Sequence, residues 1–148
     1  MAMEFYNTAP VLPTTPEWIP VTKNITSYEV EGLGAKFYNK FKDNKINDYL
    51  INTDTISGIS KLRNLVGYFA HGIKLKSYRF DRYKSTQVKK NISLVINIIG
   101  KNILSSKDQI RFRAIEEGTF YTRDLVSEPG NILHPDEYAK RLKFLSKD

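Results

Sequence analysis

Asn91-Ile-Ser-Leu-Val-Ile-Asn-Ile-Ile99 is the stretch that decides the fold class. Side chains alternate along a strand, so Ile92, Leu94, Ile96 and Ile98 share one side, and Val95 and Ile99 lie on the other. Apolar residues on both sides predict an interior strand covered by helices. Gly100 stops it. Working outward, helix and strand alternate. Thr26-Ser-Tyr-Glu29 fits a capping box, in which hydroxyl and carboxylate each satisfy an orphan backbone donor. Val30, Leu33, Phe37 and Phe41 follow at helical spacing. Lys40 and Lys42 stand in the last turn, where the helix dipole favours cations, and Asp43-Asn44 ends the helix. Asp48–Asn52 reads as a short strand. A second helix is expected over about 60–76, with Leu62, Leu65, Val66, Phe69 and Ile73 as its apolar stripe. Gly67 and Gly72 each cost about 1 kcal/mol against Ala in a helix interior, which means close packing on a neighbour or simple tolerance. A third, long helix should start near Ser106, with Gln109 three residues on, and reach about Ser127. Phe112, Ile115, Thr119, Thr122 and Val126 form one of its sides; Ile110, Ala114, Tyr121 and Leu125 form an adjoining one. Strands alternating with helices indicate an α/β layer fold with a few-stranded sheet.

Residues 1–24 differ from the rest. They hold Pro10, Pro13, Pro16 and Pro20, four of the six prolines. Proline removes a ladder donor and restricts the residue before it, so this segment is expected to be extended and irregular, with room for a short edge strand near 18–21. Trp18, the only Trp, either docks on the domain or is a loose end. Three regions follow: 1–24, proline-rich; 25–104, a partial α/β domain; and 105–148, a long linker helix and what comes after it. The 148 residues fit one domain. There is no Cys, which excludes disulfides and thiolate metal sites. Lys and Arg exceed Asp and Glu by 7, enough for weak, salt-sensitive attraction to polyanions. No apolar run is long enough to cross a bilayer, and the start lacks the pattern of a secretory signal.

Two blocks carry more than composition. The first is Val66-Gly-Tyr-Phe-Ala-His-Gly-Ile-Lys-Leu-Lys-Ser-Tyr-Arg-Phe-Asp-Arg-Tyr-Lys84. The second runs from Glu116 to Leu142 and contains Arg-Asp-Leu-Val, Glu-Pro and Asn-Ile-Leu in that order. Pro129-Gly130 ends the long helix, residues 131–134 form a link, and Pro135 opens a last helix with Asp136 and Glu137 in its first turn. Tyr138, Leu142 and Leu145 give that helix one apolar face. These blocks resemble the leucyl (cytosol) aminopeptidases, peptidase family M17, in which such a segment joins an N-terminal, macro-like α/β domain to a C-terminal catalytic domain. The resemblance covers roughly residues 25–148. It implies metal-dependent release of N-terminal amino acids from peptides, with two divalent metals (manganese, zinc or magnesium), in a cytoplasmic homohexamer. The family's metal ligands and catalytic residues lie beyond the linker, so none can be carried onto this sequence. The chain is therefore expected to be a truncated, non-catalytic fragment, and a separately encoded catalytic half is the partner it implies. Where family members carry a small hydroxyl residue before the last helix, His134 stands here. His caps poorly, so this helix start is expected to fray.

His71 and His134 are far apart in sequence and make no ligand motif, and His71 reads as structural or surface. Asp124, Glu128, Asp136 and Glu137 cluster near the linker at positions that suit caps and surface charge. Nothing resembles a nucleophile elbow, and Gly32-Leu-Gly34 lies within a helix. No catalytic or metal-binding residue is assigned. The alternative of a different class is a binding module for nucleic acid or an acidic partner. Lys74, Lys76, Arg79, Arg82, Lys84, Lys89 and Lys90 are interleaved with Tyr78, Phe80 and Tyr83, so cations could neutralise phosphates while aromatic rings stack on bases. Alternating aromatic and basic residues equally describe a solvated sheet edge. A third reading is a degraded remnant with no present role.

Overall fold

The computed structural model describes residues 2–7, 17–44, 48–56, 61–84 and 94–146. Four strands and four α-helices follow in the order β1 (Ala2–Asn7), β2 (Glu17–Pro20), α1 (Ser27–Phe41), β3 (Asp48–Asn52), α2 (Leu65–Ser77), β4 (Val95–Ile99), α3 (Ser106–Ser127) and α4 (Pro135–Leu145). The α/β class and the few-stranded sheet are as expected. The sheet order is β2-β1-β3-β4. β1 runs antiparallel to both β2 and β3, and β3 pairs with β4 in parallel, with Tyr49 opposite Ile96 and Ile51 opposite Ile98. Parallel neighbours need a crossover, and α2 supplies it.

The proline-rich start is less irregular than its composition predicts. Its residues 2–7 precede the first proline and insert as a strand between β2 and β3. Glu17–Pro20 forms the edge strand, and Pro20 sits at its end, where a missing donor costs the ladder least. The side chain of Trp18 lies outside the described residues.

α1 starts as its sequence dictates. The Glu29 amide donates to Thr26 Oγ1 and the Thr26 amide donates to Glu29 Oε2 at 2.8 Å, closing the capping box. Val30, Phe37 and Phe41 are buried, and the Phe37 and Phe41 rings meet Tyr49 of β3 at centroid distances of 5.5 and 5.0 Å. α2 begins at Leu65, later than the sequence pattern predicts, because Asn64 adopts a left-handed conformation (φ 60°) that a helix cannot run through. Gly34, Gly67 and Gly72 mark close approach rather than tolerance. A Cβ on Gly34 would stand 2.2 Å from the Phe69 carbonyl oxygen, and one on Gly72 would stand 2.1 Å from the Glu31 carbonyl oxygen. α1 and α2 therefore pack backbone to backbone over the sheet, around Ile51, Val66 and Phe69.

β4 corrects the reading of Asn91–Ile99 as an interior strand. Among the described strands it lies at an end of the sheet, and its helix-covered side is Ile96 and Ile98 alone. Val95 and Ile99 are 44% and 46% exposed. The helices cover one face of the sheet here, so apolar residues on the second face do not measure burial. Residues 91–93 of that stretch lie outside the described residues.

α3 runs over its predicted span, but its cap sits one residue earlier: Ser105 Oγ accepts from the Asp108 amide and donates to Asp108 Oδ2 at 2.6 Å. It stacks on α2 through Phe112, whose ring meets Tyr68 at 5.1 Å and lies over Gly67. Ile110, Ile115 and Val126, which the helical periodicity puts on its apolar sides, are exposed. α4 begins at Pro135 as expected, and the His134 side chain makes no capping hydrogen bond.

Candidate functional site: the basic segment and the linker clamp

The five described basic residues of the 74–90 stretch do not form an open cationic face. Lys74 Nζ lies 3.5 Å from Glu116 Oε1 of α3. Arg79 Nε lies 3.1 Å from Asp81 Oδ2, and Lys84 Nζ reaches the other oxygen of the same carboxylate. Arg82 reaches Glu128 with one nitrogen and Asp124 with the other, the latter at 3.9 Å. Lys76 stands at the end of α2 beside two cavities. Lys89 and Lys90 lie outside the described residues. A cation already facing a carboxylate has less to offer a phosphate, so the segment's charge is largely spent within the fold.

What the segment does build is a clamp on the linker. Glu128 caps the C-terminus of α3, as the sequence pattern allows, but is buried rather than a surface charge. Its carboxylate accepts from Arg82, from the Tyr83 hydroxyl and, at 3.3 Å, from Arg141 Nη1 of α4. Tyr78 donates its hydroxyl to Asp124 Oδ1 at 2.7 Å and stacks on Phe120 at 5.2 Å. Arg123 donates to the Leu75 carbonyl at 2.7 Å while its guanidinium sits 5.5 Å from the Tyr78 ring. The two conspicuous blocks of the sequence thus close on one another, with α4 tied in by Arg141.

The ionisation of these groups follows their contacts. The hydrogen bond from Tyr83 holds the Glu128 carboxyl below its ordinary value against the cost of burial, helped by Arg141 and Arg82. The same bond raises the Tyr83 phenol, with desolvation and the Glu128 charge adding to it. Desolvation raises the Tyr78 phenol first, and its bond to Asp124 raises it further. Arg141 is raised by Glu128 and then Glu137, which stabilise its cation.

His71 is structural. It is buried between helices, with Nδ1 3.0 Å from Glu31 Oε1 and its ring 5.6 Å from Phe112. Among the described residues no group of three or more His, Asp or Glu side chains stands where it could hold a metal ion. The carboxylates of Asp124 and Glu128 do not fit a divalent cation either, because Arg82, Arg141 and two phenols already occupy their oxygens. No helix among the described residues is long and apolar enough to cross a membrane.

With this geometry in place, comparison with known proteins is direct. The chain is 30% identical over 125 residues to a probable cytosol aminopeptidase of Clostridium perfringens, a match covering 80% of this chain. It is 35% identical over 103 residues to one of Phytoplasma australiense and 38% identical over 81 residues to one of a Bradyrhizobium species, covering 69% and 53% of this chain. Its relatives are the cytosol aminopeptidases. The chain spans only 16% to 25% of the length of these relatives. No protein-family model matches it. In fold it resembles the solved structure of the bottromycin maturation enzyme BotP in complex with Mn, with a TM-score of 0.63 at 19% identity over 85% of this chain and 26% of that one.

Clamp members were only half legible beforehand. Arg82 and Tyr83 stood out by composition, but as ligand-facing groups. Glu128 was visible in the Glu-Pro motif and the acidic cluster but not as a buried acceptor, and Arg141 carried no signal of its own, because the pairing spans elements.

Proposed function

We propose that this chain is the N-terminal, non-catalytic part of an M17-type leucyl aminopeptidase, and that its work is to hold the linker in a fixed attitude. The observation that carries this is the grip of Arg82, Tyr83 and Arg141 on Glu128, which orients α4. A clamp of this kind serves a chain whose continuation must leave in one direction. The complete enzyme would release N-terminal amino acids from peptides with two divalent metals, manganese, zinc or magnesium, as a cytoplasmic homohexamer. The metals would belong to the catalytic half, since no carboxylate cluster described here suits them. A separately encoded catalytic half is the partner this reading calls for.

The test has two arms. The purified chain should release no product from Leu-p-nitroanilide with manganese added; clear turnover by a contaminant-free sample overturns the reading. Mixing it with a catalytic half of a related enzyme should restore activity, and Glu128→Ala should weaken that rescue. Failure of the wild-type chain to rescue counts against the split-enzyme version and favours a remnant without a present role.

Binding of an acidic partner keeps one specific support. Lys42, Lys76 and Arg79 line a polar cleft of about 390 Å³ where α1 and α2 end. Duplex DNA titrated at low and moderate salt tests it. Binding lost as salt rises supports the contact, and no binding at low salt ends it.

A further inference from the structure

We draw no further inference here: the strongest candidate, the cavity of about 280 Å³ past the carboxyl ends of β3 and β4, where Arg63 and Lys101 flank the first turn of α2, rests on a helix N-terminus beside two exposed cations, and nothing among the described residues points to a ligand there.

Discussion

The carboxylate of Glu128 accepts a hydrogen bond from the hydroxyl of Tyr83, 45 residues earlier in the chain, and it does so from a buried position. Arg82 and Arg141 converge on the same carboxylate, so three donors lose their acceptor together if it is removed.

The first prediction follows from that convergence. Glu128→Ala leaves two guanidinium groups and a phenol without their shared partner, and a removed partner costs more than the net value of a hydrogen bond. The melting temperature should fall. Hydrogen exchange should quicken in α4 and in 78–84 well before it changes in β3. Uniform quickening throughout the domain would mean that the clamp is part of the general core. Glu128→Gln should cost less, since it keeps one acceptor oxygen.

The clamp also sets a pH window. Glu128 is lowered in the folded state, so its stabilising effect is present above the ordinary Glu value, about 4.3, and is lost as pH falls through its lower folded value. Tyr83 is raised, so its effect is present below the ordinary Tyr value, about 10, and is lost as pH rises through its higher folded value. Protection of α4 against exchange should therefore be flat between these limits and fall on both flanks. In Tyr83→Phe the alkaline flank should weaken, while an unchanged profile would remove the phenol from the account.

Helix packing gives a paired prediction. Gly34→Ala would drive a methyl group into the Phe69 carbonyl oxygen at 2.2 Å, and neither backbone can yield cheaply. A loss of about 1–3 kcal/mol is expected from overpacking. Gly32→Ala, two residues away, meets open space and should gain up to about 1 kcal/mol from helix propensity. Urea denaturation of both variants checks the contrast, and equal effects would contradict the described approach of α1 to α2.

Core truncation sets the scale for these effects. Phe69 is 1% exposed and its ring meets Phe37 at 5.6 Å, edge-on. Phe69→Ala should cost about 3–5 kcal/mol through lost transfer energy and the cavity left behind. A cost below that of Gly34→Ala would place the core elsewhere.

Local signals were readable from the sequence and non-local ones were not. Thr26 and Glu29 announce the start of α1, because the capping box is complete within four residues. Asp48–Asn52 and the span of α3 were legible for the same reason: periodicity and stop residues act over short range. The Ala2–Asn7 strand was hidden, since its place between β2 and β3 depends on partners far along the chain and its proline-rich sequel suggested irregularity. β4 misled by composition, because Val95 and Ile99 are as apolar as buried residues yet lie on the uncovered face. Basic residues 74–84 were located correctly, and their carboxylate partners within the fold were not legible. Charge counts show where cations are, whereas Glu116, Asp124 and Glu128 decide what those cations face.

The start of α4 offers a gain rather than a loss. His134 has the extended backbone of an N-cap (φ −79°, ψ 166°) but its side chain caps nothing. Glu137 stands three residues on, at the position a capping box requires, and it lies 3.3 Å from Arg141 Nε. His134→Ser would supply a hydroxyl to accept from the Glu137 amide, while the Glu137 carboxylate could turn back to the residue 134 amide. A cap of this kind contributes about 1 kcal/mol. Part of it is offset if Glu137 must leave Arg141, so the gain should be larger in a His134→Ser, Arg141→Lys background relative to Arg141→Lys alone. Amide exchange at 136–138 reads it directly. Slower exchange in the single variant is expected, and no change in either background would mean that the first turn of α4 is limited by its sparse packing rather than by its cap.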